Sequence, residues 1–238
     1  MPSSALDQFK TTLQVASELQ RIERTNYRNP PRNDEEIAVQ GLRGGMAVLV
    51  VAGFERFLKN AIEEYLSELC NPPHPVDFQR LPDVFRIHNT FATLEMALRG
   101  GAFGQPPPKL ARLAGIARAS QIVVADQVNP DAFTITGGNP SSKTVAAMLK
   151  ALGMDDFYNT IRNKFTRKWR QPIANTFIQD KLDEIVNRRH IVAHTADALN
   201  ISRGQLRESC RFLRILAEII DNELRVAINA CKRSARIP

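Results

Sequence analysis

The segment Arg189-His190-Ile191-Val192-Ala193-His194 places a fixed cation and two imidazoles on a stretch whose flanks read as a buried helix. At about 100° per residue, Ile178, Leu182, Ile185, Val186, Val192 and Ala193 gather on one face, and Arg189 falls near the middle of it. Asp183, Asn187, His190 and His194 follow at i, i+4, i+7 and i+11 and form a polar strip along one flank. The pattern predicts that Arg189 and both histidines look inward or into a cleft, a placement that needs a partner, a ligand or a reaction to offset its cost.

Three chemistries fit those residues. Arg189 could pair with a buried carboxylate while the histidines serve structure. His190 and His194, four apart, could share a divalent ion with Asp183 or Asp197, yet Ile191 stands where a zinc-peptidase helix needs Glu, and nothing further completes a ligand set. No metal and no cofactor is therefore expected. The third chemistry is acid–base work on a bound anion.

Arg189, one polar residue, three further residues and His194 match the Arg-x(4 to 6)-His signature of the HEPN superfamily, and Arg188 lies within the same permitted distance. The chain resembles the RiboL-PSP-HEPN branch across roughly residues 8 to 228. The stretches that carry the likeness are Gly44 to Lys59, Gly138-Asn139-Pro140-Ser141 ahead of a helix, and Asn187 to His194. The resemblance implies an all-α HEPN-like bundle and a metal-independent endoribonuclease of toxin or defence type. It also implies a homodimer whose two motifs face each other, and leaves room for an antitoxin or sensor protein. In such an enzyme the RNA 2′-hydroxyl is the nucleophile, so the protein supplies a proton carrier, His194, and a cation for the developing charge, Arg189. His190 would orient the phosphate or His194, with Asp183 and Asn187 supporting them. Expected ends are a 2′,3′-cyclic phosphate and a 5′-hydroxyl. A helix aims Arg189 and His194 about 140° apart, so two chains sharing one site would satisfy the geometry better than one. The alternative is a catalytically silent helical dimer that binds RNA or a regulatory protein.

Two basic clusters flank the motif helix in sequence. Arg162, Lys164, Arg167, Lys168 and Arg170 interleave with Trp169, and Arg203, Arg207, Arg211 and Arg214 recur along the last helix. Both are read as RNA-binding, for phosphate contact and base stacking. The run Gly137-Gly138-Asn139-Pro140-Ser141-Ser142-Lys143-Thr144 looks like a phosphate loop, but Ser142 stands where that loop needs Gly. It is better read as a turn followed by a helix capped by Ser141 or Ser142.

The elements that must position these groups read as helices at about 5–24, 34–69, 83–98, 110–120, 141–152, 172–195 and 202–231. Asn71-Pro72-Pro73 and Gly100 to Pro108 are read as breaks. An irregular insert at about 100–140 includes Ile122–Ala125 and Ala132–Thr136, which could pair as a hairpin. The whole of 1–238 reads as one domain. With 32 Lys and Arg against 25 Asp and Glu, the net charge of +7 favours polyanionic partners. Cys70, Cys210 and Cys231 have no ligand-like spacing and read as core thiols of a reducing, cytoplasmic compartment. The longest apolar run, Met46 to Phe54, falls short of the roughly 20 residues a bilayer needs, so no membrane partner is expected.

Overall fold

A computed structural model describes residues 2–70, 76–99, 108–195 and 201–234, without the side chains of Cys70, Arg99, His194 and Thr195. Among the described residues there are eight α-helices: α1 (Ser4–Asn26), α2 (Glu36–Cys70), α3 (Asp83–Arg99), α4 (Lys109–Val124), α5 (Ser142–Ala151), α6 (Phe157–Trp169), α7 (Phe177–Thr195) and α8 (Arg203–Ser234). Short 3-10 turns lie at Phe78–Arg80 and Pro130–Phe133. Among the described residues the architecture is the all-α one that the resemblance implied. The expected breaks at Asn71-Pro72-Pro73 and most of Gly100 to Pro108 lie outside the described residues.

The chain divides into two compact units. The first holds residues 1–61, 136–146 and 156–222. In it the stripe Leu6, Phe9, Leu13, Ala16 of α1 is buried, and Phe9 meets Phe54 and Phe57 of α2 with ring centroids 5.9 and 5.8 Å apart. Gly53 permits this approach, since a Cβ there would lie 2.7 Å from Thr12 Cγ2. By length and composition α2 could cross a membrane. Here its apolar side chains, Phe54, Phe57 and Leu58 among them, instead fill the protein interior.

Glu23 has no exposed surface, and two arginines close on it. Arg43 Nη2 lies 2.7 Å from Oε1, and Arg203 Nε lies 2.7 Å from Oε2. Arg43 also donates to the carbonyl of Ile201 at 3.0 Å, and Arg203 to that of Tyr27 at 2.8 Å. α8 begins beside this knot with a reciprocal cap: Gln205 N donates to Ser202 Oγ at 3.1 Å, and Ser202 N to Gln205 Oε1 at 2.9 Å.

α6 corrects the sequence reading, which left that stretch a basic segment and started the next helix at Pro172. Phe157, Ile161, Phe165 and Trp169 recur every four residues and are buried, so one helical face is core. α6 ends at Arg170, whose φ of 62° is left-handed, and α7 starts only at Phe177.

The second unit holds residues 62–135, 147–155 and 223–238. Here the expected hairpin is absent. α4 runs through Ile122 to Val124, and Ala132 sits in a 3-10 turn, because α3 captures the segment between them. Buried Asn89 donates to the Gln127 carbonyl at 3.0 Å and accepts from Asn129 N at 2.8 Å, while Phe85 packs on Phe133 at 4.6 Å. These side chains satisfy backbone groups that a strand partner would otherwise take.

Glu23→Ala leaves two desolvated guanidinium groups facing one another and is expected to lower stability by about 3–5 kcal/mol. Exposed Glu18→Ala, by contrast, should cost at most about 1 kcal/mol. Urea unfolding of both variants, read by helical circular dichroism, checks the difference.

Candidate functional site

α7 carries the motif, and the structure separates its side chains. Ile178, Leu182, Ile185 and Val186 are buried as the pattern requires. Arg189 is half-buried, whereas Asn187 and His190 are exposed, so the flank expected to face inward opens to solvent instead. Val192, on the buried stripe as the pattern places it, packs close to Gly44 of α2, where a Cβ would lie 3.1 Å from Val192 Cγ1. The side chain of His194 lies outside the described residues.

Asp183 holds the start of α5. Its Oδ1 accepts from Ser142 N at 2.7 Å and its Oδ2 from Ser142 Oγ at 2.7 Å, while Tyr158 donates its hydroxyl to the Ser142 carbonyl at 2.9 Å. Ser141 is the capping residue, accepting from Thr144 N at 3.2 Å. The Gly137 to Ser142 segment is thus a turn with a capped helix, docked on α7 by Asp183.

That turn presents a carbonyl to the motif arginine. Arg189 Nη1 donates to Gly138 O at 3.2 Å. Its Nε is buried and, among the described residues, has no hydrogen-bond partner. Glu55 of α2 supplies the nearby negative charge. It accepts from Thr136 Oγ1 at 2.5 Å and pairs with Lys59 Nζ at 3.0 Å. Burial pushes the Glu55 carboxyl up, but the Thr136 hydrogen bond, the Lys59 ammonium and the Arg189 charge outweigh it and hold it below its ordinary value. Arg188, the other arginine in range of His194, is bound to Glu184 on its own helix. Glu184 in turn lies 3.0 Å from Lys181, which reaches Glu208 of α8 at 3.1 Å.

A site centred on Arg189 therefore contains Glu55, Lys59, Thr136 and Gly138; the sequence reading met them only inside longer stretches, the Gly44 to Lys59 segment, an expected hairpin and a turn, and gave none of them a role at the site. The available signal was Glu55 with Lys59 at i+4, a charged pair closing the most apolar run of the chain. Two cations around one carboxylate leave a surplus positive charge, and Arg189 keeps a donor without an acceptor. Oxygen atoms of an anion supply what is missing. Among the described residues no three His, Cys, Asp or Glu side chains are placed to share a metal ion.

The basic clusters divide. Trp169 is core rather than a stacking platform: it is buried against Phe165, Phe177 and Phe212 at 5.8, 5.7 and 6.3 Å. Arg203 is committed to Glu23, and Lys168 pairs with Glu218 at 2.5 Å. Arg162 donates to Asn175 at 2.6 Å. Arg211 stacks its guanidinium 4.5 Å over the Trp169 ring and donates to the Trp169 carbonyl. Lys164, Arg167, Arg170, Arg207 and Arg214 are exposed.

A family model for RiboL-PSP-HEPN matches residues 11–225. The chain belongs to the RiboL-PSP-HEPN family. No curated protein and no solved structure matches it. Membership in this HEPN family suggests a nuclease-type function, and the matched span contains the whole Arg189 site.

The lowered Glu55 carboxyl makes a signed prediction. The stability it lends is complete above the carboxylate range of the unfolded chain and is lost as pH falls through the lower folded value. Thr136→Val removes a hydrogen bond to a charged acceptor, worth about 1.5–3 kcal/mol. It is expected to raise the Glu55 carboxyl and move acid unfolding to higher pH. Carboxyl carbon NMR titration of Glu55 checks the first effect, and acid denaturation followed by circular dichroism the second.

Proposed function

We infer that this HEPN protein is an endoribonuclease that cuts RNA without a metal ion. The observation that carries the reading is Arg189, half-buried beside Glu55, hydrogen-bonded among the described residues to a backbone carbonyl alone, with Nε lacking an acceptor among them. A phosphodiester offers two oxygens to that planar fork and displaces the neutral Gly138 carbonyl from it. Charge that accumulates on the phosphorus oxygens during attack meets a cation already desolvated and aimed, which is where such a charge has most effect.

The chemistry is internal transfer. The RNA 2′-oxygen bonds to phosphorus, its proton passing to a base, and the bond to the 5′-oxygen breaks as that oxygen takes a proton. The products are a 2′,3′-cyclic phosphate and a 5′-hydroxyl. His194 is assigned the proton transfer and Arg189 the charge. His190, exposed one residue along, is assigned to the substrate side of the same site. One α7 aims Arg189 and His194 about 140° apart, so the Arg189 of one copy of the chain meets the His194 of a second copy across a two-fold dimer.

Incubation of the purified protein with mixed RNA in excess EDTA should yield cyclic-phosphate ends. Arg189→Ala and His194→Ala should each slow cleavage by about 10²-fold or more with helicity unchanged. A mixed dimer of the two variants should regain part of the rate. Activity lost on chelation and restored by a divalent ion would overturn the reading; RNA bound but never cut would leave a silent binder.

A further inference from the structure

The first unit contains a groove of about 530 Å³ between α1 and α8 that shares no residue with the Arg189 site. Four cationic side chains line it, Lys10, which is paired with Asp7 at 3.0 Å, and Arg207, Arg211 and Arg214, against the single carboxylate of Glu218. That carboxylate is already paired with Lys168. Cys210 lies in the same wall, but burial pushes its thiol up to about 11, so it adds no negative charge. The opposite wall offers Gln14 and Ser17 of α1, exposed, uncharged hydrogen-bonding groups.

The cations are spaced for a particular ligand chemistry. Arg207, Arg211 and Arg214 sit four and three residues apart, so they recur at steps of about 6 and 4.5 Å along the helix axis, with long side chains that widen their reach. Those steps and that reach suit the separation of successive phosphates in an extended strand. Arg207 and Arg214 are exposed, and among the described residues no hydrogen bond or ion pair holds either of them. Arg211 between them is fixed over Trp169, a preorganised donor at the centre of the row. We propose that this groove is a second, non-catalytic anion site that receives consecutive phosphate groups, from an RNA strand or from a free nucleotide.

Trp169 is the one tryptophan of the chain, and the Arg211 guanidinium lies on its face. A phosphate bound by Arg211 alters the field at that ring, so binding is expected to change indole emission. The probes are a short oligodeoxyuridylate, which lacks the 2′-hydroxyl and cannot be cut, and ADP. A saturable change is expected with at least one of them, and the probe that responds identifies the source of the phosphates. Arg207→Ala with Arg214→Ala replaces two exposed side chains and should weaken binding at least tenfold. For the strand it should also reduce the slope of log affinity against log salt by roughly 1.4, about 0.7 per lost phosphate contact. Arg189→Ala should leave the titration unchanged.

Emission unmoved by either probe at millimolar concentration would overturn the proposal. So would a double variant that titrates like the parent, or a response abolished by Arg189→Ala. Because the readout is binding of an uncleavable ligand, it stands or falls apart from the cleavage reading. A protein that binds here and cuts nothing retires only the nuclease.

Discussion

Glu23 is the carboxylate around which the first unit is arranged. With no access to water it must be matched by charge, and the two arginines that match it come from α2 and from the first turn of α8. Two consecutive helices and a third some 180 residues further on are thereby fixed against one another at one point. The Arg43 bond to the Ile201 carbonyl extends the constraint, because Ile201 packs with Met46 and Leu206, and Val192 of α7 leans on that cluster. The end of the motif helix is thus located by an ion pair to which it contributes no charge. A buried pair of this kind adds little net stability over an apolar replacement, yet it strongly penalises any arrangement that leaves one member unmatched.

The Arg189 site inherits its shape from that frame by way of one turn. Thr136 is hydrogen-bonded to Glu55 at the start of the turn, and Ser142 is held by Asp183 at its end. Gly137 and Gly138 between them adopt φ values of 61° and 76°, where a side chain would be strained. The Gly138 carbonyl is consequently delivered to Arg189 by anchors on two different helices. Asp183 and Arg189 share α7, so a shift of that helix moves both the turn and the group it touches.

Much of this was legible in the sequence wherever the information is local. The helical spans of α1, α2 and α8 and the capped turn before α5 each depend on residues a few positions apart, and periodicity and capping rules read them correctly. What failed depends on partners far along the chain. Arg203 looked like a surface cation because Glu23 stands 180 residues away. Trp169 looked like a stacking ring because its charged neighbours occupy the outer face of the same helix whose inner face is Phe157, Ile161 and Phe165. The β-branched residues Ile122 to Val124 suggested a strand, but the deciding hydrogen bonds come from Asn89 of α3. Glu55 was hidden for the same reason: its meaning comes from Thr136 and Arg189, which only the fold brings near.

The two arginines in range of His194 illustrate how the environment, not the spacing, chooses between them. Arg188 is joined to Glu184 on its own helix, and Glu184 belongs to a string of charges reaching α8 through Lys181. Arg188 also has a buried nitrogen, Nη1, without a partner among the described residues, but turning its fork onto a phosphate would break a charge-assisted pair and leave a carboxylate half-desolvated. Arg189 gives up only a long bond to a neutral carbonyl. Exchanging a neutral carbonyl for a phosphate adds an opposite charge and a second parallel bond to the fork, whereas exchanging one carboxylate for another anion changes little. Glu55, kept ionised by Thr136 and Lys59, holds Arg189 near the opening without closing on it. The arginine able to respond to an arriving anion is therefore the one whose present partner is weakest.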